Sequence, residues 1–155
     1  MKPKQFLIPF LLISFILVFS ASYQLNFEPK TEFHVTQMEI KFEELNATAT
    51  IDFDVDFLTQ MYIFFFGGRN LEPYLEDFLY DFDEFRFVSV RGTTAEVELI
   101  NVSRRTGPYY IQDSRLLGSQ VSTLILVYPV KKNDTLTYFN VTSIQRTYYE
   151  VPSSV

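Results

Sequence analysis

The feature that most constrains the fold is an unbroken alternation of apolar and polar residues over residues 46–57, which read NATATIDFDVDF. Every second residue from Ala47 to Phe57 is apolar, and the residues between them are Thr or Asp. Successive side chains of a strand point to opposite faces, so this pattern predicts a long β-strand with one buried and one solvated face. A helix would scatter the same residues around its circumference.

Further strands are predicted on both sides of this one. A change of phase within residues 33–42 indicates a β-bulge near Thr36 and Gln37. The pair 85–90 and 95–102 has the pattern of a hairpin, and the last strand is expected at 136–144. Four consecutive apolar residues within 121–130 favour a central strand buried on both faces. Residues 104–118 are expected to form an irregular connection with a helical turn at 113–115. A short edge strand is expected at 23–27, and the tail with Tyr148 and Tyr149 is expected to lie along an edge or to be loose.

Two helices are predicted between the two groups of strands. Residues 58–66 read LTQMYIFFF and are expected to form a short buried helix that ends at Gly67. Asn70 is expected to cap a second helix over residues 70–82. Its apolar face comprises Leu71, Tyr74, Leu75, Phe78, Leu79 and Phe82.

The order of these elements predicts an α+β fold. A mostly antiparallel sheet would carry the short helical insert on one face. A β-sandwich with the helices at one end is the alternative.

The N-terminal residues have the pattern of an export signal. Lys2 and Lys4 precede an apolar run over residues 6–19, and small residues follow it. As a helix the run would span about 21 Å, short of the ~30 Å hydrocarbon core. Residues 1–22 are therefore predicted to be a cleaved signal peptide or, alternatively, a retained N-terminal membrane anchor. Residues 23–155 are predicted to be a single domain outside the cytoplasm, secreted or at the cell surface.

Four Asn-x-Ser/Thr triplets support export. They begin at Asn46, Asn101, Asn133 and Asn140, and they account for four of the six Asn residues in the chain. Such triplets are glycan acceptors on exported proteins. We therefore predict glycosylation at these four positions.

Composition limits the partners. The chain has 13 basic and 19 acidic residues, a formal net charge of −6, which argues against nucleic acid and against anionic lipid head groups as ligands. It has no Cys, so packing rather than disulfide bonds must stabilise the domain. The membrane is expected as a partner only through the N-terminal segment, where that segment is retained.

The weak candidates for a metal site are Asp52, Asp54 and Asp56. On one strand face, neighbouring carboxylates would lie about 6.8 Å apart and repel each other by only ~0.6 kcal/mol in water. The strand can therefore carry all three charges without an ion. The glycine turn and distal Glu of a calcium loop are missing around them. We predict that they face solvent and bind no metal tightly.

The sequence offers no catalytic or cofactor-binding residues. His34 is the single histidine and has no Cys to pair with, and no GxSxG or phosphate-binding motif occurs. Acidic residues at 77–84 would oppose the dipole at the end of the second helix, and a cation such as Arg86 or a bound metal would relieve this. The tyrosine pairs at 109–110 and 148–149 suggest a partner or sugar-binding surface.

These observations favour a non-catalytic exported or cell-surface domain that mediates protein or glycan interaction in the envelope, without a cofactor. The alternative is a secreted glycoside hydrolase that uses carboxylates, or a Ca²⁺-dependent carbohydrate binder.

Overall fold

The computed structural model describes residues 33–129 and 135–150. Within these ranges nine strands form two sheets, and two α-helices lie between the second and third strands. The elements are β1 (His34–Glu43), β2 (Asn46–Asp54), α1 (Phe57–Phe66), α2 (Glu72–Phe78), β3 (Phe85–Arg91), β4 (Thr94–Leu99), β5 (Ser103–Thr106), β6 (Tyr109–Gln112), β7 (Arg115–Val127), β8 (Thr135–Ile144) and β9 (Thr147–Glu150).

The α+β prediction is confirmed. The larger sheet has the strand order β3-β4-β2-β1-β7-β8. All of its neighbouring strands are antiparallel except β1 and β7, which run parallel. The smaller sheet has the order β5-β6-β9 and is antiparallel throughout.

The alternating residues 46–54 form β2. Ala47, Ala49, Ile51 and Phe53 are buried on one face, and the residues between them are only partly covered. The strand ends at Asp54 rather than at residue 57, because the chain then turns into α1. The predicted bulge in β1 is confirmed as a register shift between Val35 and Gln37.

The prediction of an irregular connection over residues 104–118 is wrong. These residues form the hairpin β5–β6, with Gly107 in the turn at φ 60°, and then the start of β7. Residues 113–115 form no helical turn. The prediction that β7 is buried on both faces is also wrong, because Leu124 and Leu126 are buried whereas Ile125 is only half-buried.

Aromatic side chains join the two sheets. Phe42 of β1 stacks on Tyr128 with ring centroids 5.0 Å apart, and it contacts Tyr149 of β9 at 5.9 Å. The Tyr149 hydroxyl donates a hydrogen bond of 2.8 Å to the carbonyl oxygen of Glu44 in the β1–β2 turn. The smaller sheet therefore lies beside the β1–β2 turn.

The second predicted helix is present but shorter. Asn70 lies in a 3₁₀ turn (Gly68–Leu71) and does not cap α2, which ends at Phe78 instead of residue 82. Its apolar face packs in the core as predicted, with Tyr74 more exposed than the rest. Packing against β7 is tight at Gly118, where an added Cβ would lie 2.2 Å from the carbonyl oxygen of Asp77. The buried members of that face are Leu71, Leu75, Phe78, Leu79 and Phe82.

Candidate functional site: an exposed apolar helix

Helix α1 presents apolar side chains to solvent. It reads FLTQMYIFFF and contains no charged residue. Of its ten residues, all within the described part of the chain, Ile63 alone is buried. The four Phe side chains are between 67% and 83% exposed. We call the exposed large side chains of α1 the α1 patch: Phe57, Leu58, Met61, Tyr62, Phe64, Phe65 and Phe66.

Local signals explain where this helix begins. Asp56 is the N-cap: its Oδ1 accepts hydrogen bonds from the N–H groups of Leu58 and Thr59, at 3.0 and 3.1 Å. The Thr59 hydroxyl donates a further bond of 2.6 Å to Asp56 Oδ2. These bonds, the hydroxyl bond foremost, hold the pKa of Asp56 below its usual range. The cap satisfies N–H groups that a helix start leaves without partners.

A glycine pair ends the helix and sets it against the domain. Gly67 has a φ of 86°, a conformation that favours glycine, and its N–H donates to the Ile63 carbonyl oxygen at 2.8 Å. Gly68 lies so close to β3 that an added Cβ would be 2.8 Å from Val90 Cγ1. The exit of α1 is therefore fixed against the edge of the larger sheet.

One buried side chain and two local hydrogen bonds fix the position of α1. Ile63 is the residue of the helix that is buried against the domain. Gln60 Nε2 donates to the carbonyl oxygen of Val55, just before the helix, at 3.0 Å, and Asn70 Nδ2 donates to the hydroxyl of Tyr62, a member of the α1 patch, at 2.7 Å. The outward face is left to the apolar side chains.

A groove runs between α1 and the β3–β4 hairpin. Its volume is about 480 Å³, and Ile63 and Phe64 line it on the helix side. Gly68, Val90 and Arg91 are among the residues on the other side. Arg91 is exposed, as is Arg69, which follows α1 by three residues. The α1 patch therefore has cationic side chains near one border and no charge within it.

The α1 patch lies at the end of the sheet where the described chain begins. His34, the first residue of β1, pairs with Asp54, which is three residues before α1. The Phe33 ring lies 5.0 Å from that of Phe53 and 6.0 Å from that of Tyr74. Phe33, the first described residue, therefore lies close to the residues that lead into α1.

The three aspartates predicted as weak metal candidates do not share one strand face. Asp52 accepts a bond of 2.7 Å from the Thr94 hydroxyl, Asp54 is exposed at the end of β2, and Asp56 caps α1. The expected row is wrong at Asp56 because the strand ends two residues earlier. Within residues 33–129 and 135–150, no three His, Cys, Asp or Glu side chains are grouped so that they could hold a metal ion. That these aspartates bind no metal tightly stays a prediction.

The predicted glycan acceptors fall in different places. Asn46 is half-buried at the far end of β2 from α1, and its Oδ1 accepts a bond of 3.0 Å from the N–H of Asn101. Asn101 and Asn140 are exposed and have φ values of 54° and 53°. Asn133 lies outside the described residues. Glycosylation at the four positions stays a prediction.

The structure brings the two tyrosine pairs together. Tyr110 and Tyr149 are opposite each other in the smaller sheet and are both buried, with ring centroids 5.4 Å apart. Tyr109 and Tyr148 form an edge-to-face pair at 5.9 Å on its exposed side. Of each two consecutive tyrosines, the second therefore lies in the core and the first lies at the surface.

The remaining sequence candidates have ordinary structural surroundings. His34 is exposed, with Nε2 3.3 Å from the Ser122 hydroxyl. The cation beside the acidic residues that follow α2 is Arg115 rather than Arg86. Its guanidinium donates 2.8 Å to the Asp81 carbonyl oxygen and 2.9 Å to Asp83 Oδ2.

Sequence reasoning predicted α1 as a helix but missed its exposure. The available signal was composition: eight of its ten residues are large and apolar, more than one buried face of a short helix can hold. No helix in the described part of the chain is long and apolar enough to cross a membrane. Comparisons of the chain with protein-family models, with curated proteins and with solved structures found no match.

Proposed function

We propose that this chain is a non-catalytic domain, exported or held at the cell surface, that acts through an interaction in the envelope. The observation that carries the proposal is the exposure of the α1 patch. A helix that is apolar on its outward side is normally covered by something else.

The size of the patch supports this role. With ~200 Å² for a whole Phe side chain, the four exposed Phe rings alone present roughly 580 Å². That is near the upper limit of ~600 Å² for the largest apolar patch on a typical monomer, before Leu58, Met61 and Tyr62 are counted. Covering 580 Å² would be worth about 14 kcal/mol at ~25 cal/mol per Å², before the costs of association.

The local structure of α1 also supports a binding role. The helix has a side-chain cap at its start and a glycine stop at its end, Ile63 is buried against the domain, and hydrogen bonds hold Gln60 and Tyr62. An apolar surface held in this way is pre-organised, so little conformational entropy is lost when it is covered. The carboxylates of the enzymatic alternative have local partners instead, as Asp52 and Asp56 illustrate.

Site-specific photo-crosslinking in intact cells tests the proposal. A photoreactive amino acid replaces Phe64 in the α1 patch, and the matched control replaces Phe139 of β8, which is 68% exposed. We expect an adduct to form at position 64 and little at position 139. Equal labelling at both positions, or none at position 64, would contradict a contact role for α1.

A further inference from the structure

We propose that the occupant of the α1 patch is a lipid surface: α1 lies in the outer interface of the membrane, parallel to its plane. This inference rests on the proposed function and names the partner class.

The distribution of the Phe side chains favours lipid over a rigid partner. Consecutive residues of a helix are about 100° apart around its axis, so Phe64 and Phe66 point in directions about 200° apart. Both are exposed, and so is Phe65 between them. A flat protein surface would cover only part of such an arc, whereas head groups and acyl chains can surround it.

The length of α1 fits a helix lying in the interface. Ten residues give about 15 Å of helix, half of the ~30 Å hydrocarbon core, so α1 is too short to span it. Helices that lie in the interface bury an apolar face roughly 5–10 Å into the boundary between head groups and acyl chains, while the other face stays polar. Here Ile63 stays buried against the domain, and the polar residues Thr59 and Gln60 lie beside it on the same side of the helix.

Charge determines which lipids would be bound. The chain has a net charge of −6 and α1 carries no charge, so attraction to anionic head groups cannot be the main source of binding. The binding should therefore occur on neutral lipid and change little with salt. Arg69 and Arg91, near the border of the patch, can extend their guanidinium groups toward phosphates.

The N-terminal apolar run, where it is retained, would keep the domain near a membrane. Phe33, the first described residue, packs on Phe53, which is four residues before α1. The apolar run ends at residue 19, and residues 20–32 can reach at most about 45 Å at ~3.3–3.6 Å per residue. A run retained in the membrane would therefore keep Phe33, next to the first residue of β1, within about 45 Å of the lipid.

A labelling experiment on the reconstituted protein tests the proposal. The chain has no Cys, so Phe64→Cys and Leu58→Cys each give one labelling position on α1. Tyr148→Cys is the matched control, because Tyr148 is an equally exposed aromatic residue, beside the β1–β2 turn and away from α1. Each variant is purified in the form that cells produce, labelled with a nitroxide and added to phosphatidylcholine vesicles. Its collisions with oxygen, which concentrates in lipid, and with a water-soluble nickel complex are then measured.

We expect labels at positions 64 and 58 to collide several-fold more with oxygen than with the nickel complex, and the label at 148 to show the reverse. Two labels on α1 guard against a local effect of either substitution. Nickel accessibility at positions 64 and 58 equal to that at 148 would overturn the lipid assignment. Protection of both α1 positions from both reagents would also overturn it, in favour of a protein partner or a second copy. If either result overturns the lipid assignment, a photo-crosslink from position 64 to a protein in cells would still support the proposed function. If no such crosslink forms, the lipid assignment and the proposed function both fail.

Discussion

Truncation of Leu75 should show how much the packing of α2 contributes to stability. Leu75 is fully buried, at 0% exposure, in the face of α2 that packs in the core. Leu75→Ala removes three carbon groups, worth about 2.4 kcal/mol at ~0.8 kcal/mol each. If the cavity of about 80 Å³ stayed fully open, it would add roughly 2 kcal/mol more at ~24 cal/mol per Å³. We therefore expect a loss of about 2.4–4.3 kcal/mol in the free energy of unfolding.

The same substitution at an exposed leucine is the control. Leu116 on β7 is 54% exposed, so Leu116→Ala loses about half of the transfer term and leaves no enclosed cavity. Its expected cost is about 1 kcal/mol or less. Urea unfolding at a fixed detergent concentration measures both variants by far-ultraviolet circular dichroism and by the fluorescence of the ten tyrosines, since the chain has no Trp. Equal losses in the two variants would refute the packing argument for α2.

Three further predictions follow from single contacts. Gly118→Ala should destabilise the fold by about 1–3 kcal/mol or more in the same urea assay, because its Cβ would lie 2.2 Å from the Asp77 carbonyl oxygen; an unchanged unfolding curve would contradict the close approach. Tyr149→Phe should cost about 1 kcal/mol through its lost hydrogen bond to the backbone, and Tyr148→Phe almost nothing; equal costs would contradict the assignment. Asp56→Ala should speed hydrogen exchange in α1, whereas Asp56→Asn should not, because Asn can still cap the helix; exchange that is insensitive to Asp56→Ala would argue against the cap. Because the pKa of Asp56 is lowered, the stabilisation by the carboxylate cap should be complete above pH 3.8 and be lost only as the pH falls below that value.

The sequence predicted those parts of the fold whose signals are local. Alternation of period two revealed β2, and the change of phase near Gln37 revealed the bulge, because each can be seen within a few residues. The hairpin β5–β6 was missed because its strands have four residues each, too few for a clear period. The parallel pairing of β1 with β7 joins Val35 to Val121, and no local pattern encodes a contact between such distant residues.

The candidate site shows the limit of periodicity more clearly. The spacing of Leu58, Met61, Tyr62 and Phe65 predicted a helical stripe, and these residues do share a side of α1. Periodicity indicates which residues lie together but not whether their side faces the core. The inner face is decided by Ile63 and by the contact of Gly68 with Val90, which is a tertiary contact. The expectation that this helix is buried was therefore wrong, and the error concerns the most exposed apolar surface of the described residues.

The height of the two ends of the domain above the membrane tests most directly whether α1 lies in the lipid interface. A single fluorophore is placed at Phe64→Cys or at Leu45→Cys, which lies in the β1–β2 turn, and energy transfer to acceptor-labelled lipid head groups is measured in native membranes. The eight steps of β2 from Asn46 to Asp54 separate the two ends by about 27 Å. With α1 in the lipid interface, we expect strong transfer from position 64 and weak transfer from position 45. Equal transfer from both positions, or stronger transfer from position 45, would contradict it.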